Sequence, residues 1–347
     1  MSLDLQPLFH TPLPMVSHAA PGAPVEDLLD RLTEALSALQ SELTRAGAIL
    51  LRGWPVLDAP TFERVARAID PELKNEYLGT SPRNALTSHV FTASELPPHF
   101  PVPQHNEMSF TKAPPRRLFF GCLQPNAGAG GETPLVDSRR VWADLDPGVR
   151  ARFEARGVRN VRNYAGPESR ASAWDPWKLK RWDEMFGTTD RAAVSARCAA
   201  EGFDATWTEG GGLRLVNVQP AMKPHPATGE PAWFNHSQVF HASAAPAEYR
   251  RIAGRLGAKW RGWGMLASTL LAVKGLTQAD EAAGMHCTYG DGTPIPVSDM
   301  DAVRDAIWKN LVAFQWERGD VVVIDNDAVA HGRMPYAGPR TVIVSWA

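Results

Sequence analysis

The chain has 347 residues, a hydrophobic content of 44%, a formal net charge of −2 and three cysteines. The near-neutral charge and the lack of a basic run argue against a nucleic-acid-binding or membrane-surface protein. Three scattered cysteines are too few for a disulfide framework or a cysteine-based zinc site. Because we find neither a signal peptide nor a membrane-spanning apolar run, we expect a cytoplasmic protein. Because we find no internal repeat and no low-complexity linker, we expect one domain over residues 1–347.

The N-terminal part predicts two helices around a short strand. Apolar residues recur at helical spacing over residues 24–46, and Gly47 suits the end of that helix. Residues 48–54 predict a buried strand, and residues 61–69 predict a second amphipathic helix.

Strand signals become frequent after residue 116. Residues 117–123 predict a strand, residues 128–131 a glycine-rich loop and residues 133–137 extended chain. A helix is expected to begin near Asp137, since aspartate or the following serine suits an N-cap. The segment 163–186 carries Trp174, Trp177 and Trp182 without a clear period, and we interpret it as an insertion that forms a lid.

The C-terminal part contains the clearest strands. Residues 321–325 and 341–346 are β-branched runs, and residues 213–218 alternate as a half-buried strand would. Residues 246–256 and 300–311 predict helices. The whole pattern favours an α+β fold with a mainly β core, a sandwich or barrel, decorated by helices.

His105, Glu107 and His331 carry the clearest chemical signal. Two imidazoles and one carboxylate are the ligand set of a mononuclear non-haem Fe(II) centre, which leaves positions for a co-substrate and dioxygen. Residues two apart on a strand share a face, so His105 and Glu107 are expected to point at one ion, with His331 on an adjacent strand. Zinc accepts the same ligand types, and a chance His-x-Glu triplet is the alternative interpretation.

Arg340 follows His331 by nine residues, and turn residues at 334–339 predict a hairpin that brings the two together on neighbouring strands. A buried guanidinium needs a carboxylate partner. That partner could be a small dicarboxylate ligand or a protein acid, Asp325 or Asp327.

Several other polar residues have both a binding and a structural interpretation. Thr133 follows two glycines and could donate to a ligand carboxylate or simply begin a strand. Arg333 could face a substrate or be an ordinary surface charge. The other histidines considered are His225, His236 and His241, and we expect each of them to have a structural role.

In order and spacing, these residues resemble the taurine dioxygenase-like (TauD/TfdA) family of Fe(II)- and 2-oxoglutarate-dependent oxygenases. The resemblance is to its clavaminate-synthase-like and SyrP-like members, which use His-x-Glu. The matching sequence motifs lie at residues 105–110, 130–134, 319–326 and 331–340, and weaker similarity lies at residues 51–53, 80–83 and 233–235. The resemblance implies a double-stranded β-helix (jelly roll) core with flanking helices.

The resemblance also implies roles for particular residues. His105, Glu107 and His331 would hold Fe(II). Arg340 would pair with the distal carboxylate of 2-oxoglutarate, and Thr133 would hydrogen-bond the same co-substrate. Because Glu107 keeps a carboxylate where halogenating members have a small residue, halogenation is not expected. For contacts with the primary substrate we expect Arg83, Ser109 and Arg333.

The implied reaction is an O2-dependent hydroxylation of an unactivated C–H bond. The substrate would be an amino acid or an amino-acid-derived metabolite, free or tethered to a carrier protein, in secondary metabolism. Desaturation, epoxidation and cyclisation use the same cofactor chemistry and stay open. A zinc hydrolase and a non-catalytic jelly-roll binding protein are the alternatives of another class. We expect no nucleic-acid or membrane partner, and the sequence does not predict an oligomeric state.

Overall fold

Helices and strands are interspersed along the residues that the computed structural model describes, which are 3–79, 83–169, 181–277 and 282–347. The helices are α1 (Val25–Glu34), α2 (Leu36–Ala46), α3 (Ala59–Ile69), α4 (Ser138–Asp144), α5 (Pro147–Arg156), α6 (Trp182–Phe186), α7 (Arg191–Ala200), α8 (Ser237–Phe240), α9 (Ala244–Leu256), α10 (Lys259–Thr277) and α11 (Val297–Lys309). The strands are β1 (Gln6–Pro7), β2 (Met15–His18), β3 (Ala48–Arg52), β4 (Phe91–Thr92), β5 (Val102–His105), β6 (Arg117–Gln124), β7 (Leu135–Asp137), β8 (Val158–Tyr164), β9 (Asp204–Trp207), β10 (Leu213–Gln219), β11 (Met222–Pro224), β12 (Pro231–Trp233), β13 (Met285–Tyr289), β14 (Leu311–Val312), β15 (Val321–Asp325), β16 (Val329–Arg333) and β17 (Thr341–Trp346).

These strands form sheets that organise the whole fold. A seven-stranded sheet has the order β1-β2-β3-β15-β6-β17-β4, and a four-stranded sheet has the order β14-β7-β16-β5. A second four-stranded sheet, β13-β8-β10-β9, and the hairpin β11-β12 complete the set in the described residues. Within the seven-stranded sheet, β2 and β3 run parallel, whereas every other pair of neighbouring strands is antiparallel. The α+β class predicted from the sequence is confirmed.

The central strand β15 shows why its sequence is a continuous apolar run. Val321 and Val323 pack with the N-terminal helices α1, α2 and α3. Val322 and Ile324 point to the opposite face, where the other sheets pack. Successive strand residues alternate between faces, so a strand covered on both sides needs an apolar residue at every position.

The N-terminal helical region is divided into two helices, α1 and α2, where the sequence predicts one. Ala35 lies between them with φ −102° and ψ 12°. Helix α1 packs against α3, whereas α2 packs against β3 and β15, so the break lets each half face its own partner. Gly47 ends α2 with φ +86°, the left-handed conformation that glycine adopts without strain.

The connection from β16 to β17 differs from the predicted hairpin. β16 pairs with β5 and β7, whereas β17 pairs with β6 and β4 in the seven-stranded sheet. The hairpin prediction was wrong because the connecting backbone bonds elsewhere: the Met334 N–H donates to Glu132 O and the Tyr336 N–H donates to Pro98 O. The chain therefore crosses from one sheet to the other between His331 and Arg340.

The predicted lid segment falls only partly in the described residues. Trp174 and Trp177 lie outside them. Trp182 begins α6, is buried and donates its indole N–H to Gly211 O at 2.9 Å. In the described part of the chain, no helix is both long and apolar enough to cross a bilayer.

All three cysteines are unpaired and buried. Burial raises the pKa of the Cys122 and Cys287 thiols to about 12 and that of Cys198 to about 11. These thiols therefore stay protonated at neutral pH and contribute as small apolar groups.

Candidate metal centre

His105, Glu107 and His331 meet in the interior of the fold. The antiparallel pairing of β5 and β16 sets His105 directly opposite His331, with ring centroids 4.6 Å apart. One ligand atom from each of the three side chains lies within 4.8 Å of the others, and all three are buried. Two nitrogen donors and one oxygen donor converging at this separation fit a small divalent cation.

Glu107 reaches this position from a turn and not from the strand that the sequence predicts. Strand β5 ends at His105, and Met108 takes a positive φ of 51°. The Asn326 amide fixes the turn: its Oδ1 accepts from the Glu107 N–H at 2.7 Å, and its Nδ2 donates to Glu107 O at 3.0 Å. The prediction that the two ligands share one strand face was wrong, because a distant amide sets the backbone of Glu107.

Hydrogen bonding and burial orient the two imidazoles. His105 Nδ1 lies 2.8 Å from Pro103 O, so Nδ1 carries the proton and Nε2 keeps its lone pair for a ligand. Burial lowers the pKa of His331 well below its ordinary value, and the neighbouring His105 and Arg83 add to this effect. Neutral imidazole is the form that binds a metal.

Arg83 lies against the carboxylate of Glu107. Its Nη2 donates to Glu107 Oε2 at 2.7 Å, and the Tyr77 hydroxyl lies 3.3 Å from Oε1. The guanidinium also stacks over the Tyr77 ring at 4.5 Å. Burial opposes the charge of Arg83, but Tyr77 and Glu107 raise its pKa. The weakly similar sequence motif at residues 80–83 includes Arg83, but its residues 80–82 lie outside the described residues.

Arg340 lines a cavity together with His105 and His331. Its Nε donates to Gly131 O at 2.7 Å and its Nη2 donates to Thr133 Oγ1 at 3.3 Å. Trp316 Nε1 also donates to Thr133 Oγ1, at 3.2 Å. Because this oxygen already accepts two hydrogen bonds, the hydroxyl proton of Thr133 is available to a ligand.

Arg340 has no carboxylate within salt-bridge distance in the described part of the chain. The two protein acids considered from the sequence are engaged elsewhere: Asp325 with His225 at 3.0 Å and Asp327 with Lys223 at 2.7 Å. Burial lowers the pKa of Arg340 to about 10, which still leaves it charged at neutral pH. A half-buried cation without an anionic partner is expected where an anionic ligand binds.

A glycine pair brings the Thr133 loop against Arg340. Gly130 has φ +90°, and a Cβ added there would lie 2.1 Å from Pro335 O. Gly131 has φ +77°, and a Cβ there would lie 3.3 Å from Arg340 Cδ. Both positions therefore require glycine, for backbone conformation and for close approach.

One cavity contains most of these groups. Its lining includes Arg83, His105, Phe120, Thr133, Gly332, His331, Arg333 and Arg340. Its volume is about 30 Å³, and the Phe120 ring packs 4.9 Å from the His331 ring. Two of the predicted metal ligands, His105 and His331, thus line the same cavity as the predicted co-substrate residues Thr133 and Arg340.

The remaining predicted contact residues have protein partners. Ser109 Oγ lies 2.6 Å from Nδ1 of His236, whose ring packs 5.2 Å from that of His105. The sequence predicts a structural role for His236 and gives no sign that it lies beside a metal ligand. Arg333 lines the cavity, but its terminal nitrogens donate to the carbonyl oxygens of Leu96, Pro97 and Phe100.

Comparison with known proteins places this arrangement in a family. Residues 7–346 match the family described as "Taurine catabolism dioxygenase TauD, TfdA family". The chain is 28% identical over 303 residues to the dapdiamide synthesis protein DdaC of Enterobacter agglomerans, covering 87% of this chain and 82% of that protein. It is 31% identical over 312 residues to a clavaminate synthase-like protein of Arabidopsis thaliana, covering 88% and 83%.

Solved structures share the fold. PvcB from Pseudomonas aeruginosa aligns with a TM-score of 0.53 at 13% identity, covering 99% of this chain and 90% of that chain. PvcB is described as an Fe, alpha-ketoglutarate dependent oxygenase from an isonitrile synthetic pathway. The chain therefore belongs to the TauD/TfdA family of Fe(II)- and 2-oxoglutarate-dependent dioxygenases.

Proposed function

We propose that this dioxygenase hydroxylates an unactivated C–H bond of an amino acid or an amino-acid-derived metabolite in secondary metabolism. The substrate is either free or tethered to a carrier protein. Support comes from DdaC, whose name assigns it to dapdiamide synthesis. Desaturation, epoxidation and cyclisation are the alternative outcomes of the same cofactor chemistry. Membership of the family disfavours the zinc hydrolase and the non-catalytic binding protein.

In this proposal His105, Glu107 and His331 hold Fe(II). When bound, Fe(II) and 2-oxoglutarate couple the reduction of O2 to the oxidation of the co-substrate and of a substrate C–H bond. Nδ1 of His105 keeps its proton on Pro103 O and so presents Nε2 to the metal. The two hydrogen bonds between the Asn326 amide and the Glu107 backbone hold the turn in place without a bound metal.

The co-substrate is held by Arg340 and Thr133. The guanidinium supplies the positive charge for the distal carboxylate, and the free Thr133 hydroxyl proton adds a second donor. The single observation that carries this role is that half-buried Arg340 lines the same cavity as His105 and His331, with no carboxylate of the described residues within salt-bridge distance. A cavity of about 30 Å³ is space for water and not for a five-carbon dicarboxylate, so binding requires side chains to move.

Arg83, Ser109 and Arg333 are proposed to surround the primary substrate. Of these, Arg83 lines the cavity and keeps two buried nitrogens, Nε and Nη1, without a hydrogen-bond partner in the described residues. Arg333 is already committed to three backbone carbonyls, which favours a role in holding the loop of Leu96, Pro97 and Phe100 at the cavity wall.

We further propose that the seven-stranded sheet and the sheet β14-β7-β16-β5 form a double-stranded β-helix, or jelly roll, within one domain spanning residues 1–347. The pairing of β16 and β17 with different sheets supports this arrangement. The lid over residues 163–186 stays a prediction.

Anaerobic spectroscopy tests the proposed function. Protein mixed with Fe(II) and 2-oxoglutarate should develop a weak visible charge-transfer band, and free or carrier-bound amino acids should then be screened for succinate formation in air. Absence of the band, or binding of zinc without turnover of 2-oxoglutarate, would contradict the proposal.

A further inference from the structure

A row of polar side chains is buried on one face of the sheet β13-β8-β10-β9. Asn160, Arg162 and Tyr164 occupy alternate positions of β8 and therefore share a face. Asn217 on β10 lies opposite Asn160 in the strand register and points the same way. Arg162 and Asn160 are 0% exposed, and the other two are also buried.

These groups lack the partners that buried polar atoms normally have. All three guanidinium nitrogens of Arg162, both amide atoms of Asn160, Asn217 Oδ1 and the Tyr164 hydroxyl make no hydrogen bond in the described part of the chain. Carboxylates within salt-bridge distance of Arg162 are likewise lacking there. Burying an unpaired charge costs several kcal/mol, so a fold retains it only for a compensating reason.

The nearby groups that could become anions do not neutralise Arg162. Burial is the largest effect on the Tyr164 hydroxyl and raises its pKa, although Arg162 opposes the shift. Burial likewise raises the pKa of the Cys198 thiol to about 11 against the same opposing charge. Both groups are therefore protonated at neutral pH, and the guanidinium is left without a counter-charge from either.

Two aromatic rings pack against the guanidinium of Arg162. Its Cζ lies 4.1 Å from the centre of the Phe110 ring and 4.4 Å from that of Phe203. Rings stacked on the guanidinium leave its in-plane N–H groups as the available donors, which is the geometry that binds a carboxylate in a bidentate way.

This polar row lies next to the candidate metal centre. Phe110 packs edge-on against His236 at 4.9 Å, and His236 packs against His105 at 5.2 Å. Three successive contacts, Arg162 to Phe110, Phe110 to His236 and His236 to His105, thus connect Arg162 with a candidate iron ligand. Arg340 is a different cation that lies in the cavity with Thr133, so the two guanidinium groups can serve two different anions.

We propose that Arg162, assisted by Asn160 and Tyr164, binds a carboxylate group of the primary substrate. This inference rests on the proposed function and narrows it: the substrate is an acid whose carboxylate is held beside the His105–His236 pair. A carrier-tethered substrate would then need a carboxylate other than the one that forms its thioester.

The first test replaces the charge and keeps the packing. Arg162→Met retains a long apolar side chain between Phe110 and Phe203 but removes the unpaired cation. We expect an unchanged or higher melting temperature than wild type, because no pair is broken. As a matched control, Arg52→Met breaks the buried ion pair with Asp320 and should lower the melting temperature. A clear fall for Arg162→Met would mean that the arginine is structural and would overturn the proposal.

The second test compares acids with neutral analogues. The common L-amino acids and the corresponding amino-acid amides are offered to the Fe(II)- and 2-oxoglutarate-loaded enzyme, and succinate is measured. An acid should stimulate turnover where its amide does not, and Arg162→Met should lower kcat/KM for that acid by about 100-fold or more. Equal turnover of acid and amide, or wild-type kcat/KM in the variant, would contradict the proposal. If none of these acids stimulates wild type, the proposal that Arg162 holds the carboxylate of an amino-acid substrate is contradicted as well.

The anaerobic charge-transfer band separates this inference from the proposed function. Arg162→Met should show the wild-type band, because Arg162 contacts neither the candidate iron ligands nor Arg340. If the band is absent from wild type, the proposed function fails. If the band is intact and Arg162→Met either melts clearly below wild type or keeps the wild-type kcat/KM for the acid, only the carboxylate site fails.

Discussion

His105 and His331 face each other across paired strands, with their ring centroids 4.6 Å apart. The relative position of the two imidazoles is therefore set by backbone hydrogen bonds between β5 and β16 and does not depend on a flexible loop. A slip of one residue in this register would turn one imidazole to the other face of the sheet. The candidate iron site thus depends on strand pairing as much as on the identity of the ligands.

Replacing one of these imidazoles should abolish iron binding. His331→Ala is expected to lose Fe(II) under anaerobic dialysis and to lose the charge-transfer band with 2-oxoglutarate, because two remaining ligands hold the ion weakly. Metal analysis of the dialysed protein measures the loss. His225→Ala is the control, since that buried histidine bonds Asp325 away from the cavity. Wild-type iron content in His331→Ala would contradict the assignment.

Arg340→Met should specifically weaken the binding of 2-oxoglutarate. Loss of a charged hydrogen-bonding partner costs about 1.5–3 kcal/mol, so the KM for 2-oxoglutarate should rise about 10–100-fold. Steady-state kinetics with varied 2-oxoglutarate measure it. Arg117→Met, which loses an ion pair with Asp70 outside the cavity, should leave this KM unchanged. An unchanged KM in Arg340→Met would mean that the dicarboxylate binds elsewhere.

The glycine loop offers a matched pair of variants. Gly130→Ala places a Cβ against Pro335 O at a positive φ, and we expect the free energy of unfolding to fall by about 1–3 kcal/mol. The KM for 2-oxoglutarate should also rise, because the loop positions Thr133. Denaturant titration and kinetics measure the two effects. Gly128→Ala meets no heavy atom within 4 Å and should change neither, whereas equal behaviour of the two variants would contradict the packing argument.

The buried thiols should not react with thiol reagents in the folded protein. Burial raises the pKa values of Cys122, Cys198 and Cys287 to about 11–12, so the reactive thiolate grows only as the pH approaches that range. At pH 8 the fraction of thiolate is about 0.1% or less. We expect an aromatic disulfide reagent to label no cysteine at pH 8 until guanidinium unfolds the chain. Rapid labelling of a native thiol would contradict the burial that underlies these values.

Residue type and local pattern predicted much of the fold. The apolar runs of β15 and β17 lie where the sequence places them, since strands buried on both faces need β-branched residues throughout. The grouping of His105 and Glu107 with His331 also followed from side-chain chemistry, because few residue types bind a first-row metal.

Long-range contacts account for what the sequence did not reveal. The turn at Glu107 depends on Asn326, and nothing near residue 107 signals that partner. The sheet that β17 joins depends on where the 334–339 backbone finds acceptors. In the sequence Arg162 is one polar residue in an alternating strand, and only tertiary structure reveals that its guanidinium is buried without a hydrogen-bond partner among the described residues.

The polar row of β8 belongs to a sheet that, in the described residues, shares no strand with the sheets carrying His105, His331 and β17. Its side chains can therefore be exchanged without altering the strand register that aligns the imidazoles. Mutation could redirect this protein to other substrates while preserving its oxygen chemistry, which makes β8 the natural target for combinatorial libraries that seek new selectivity.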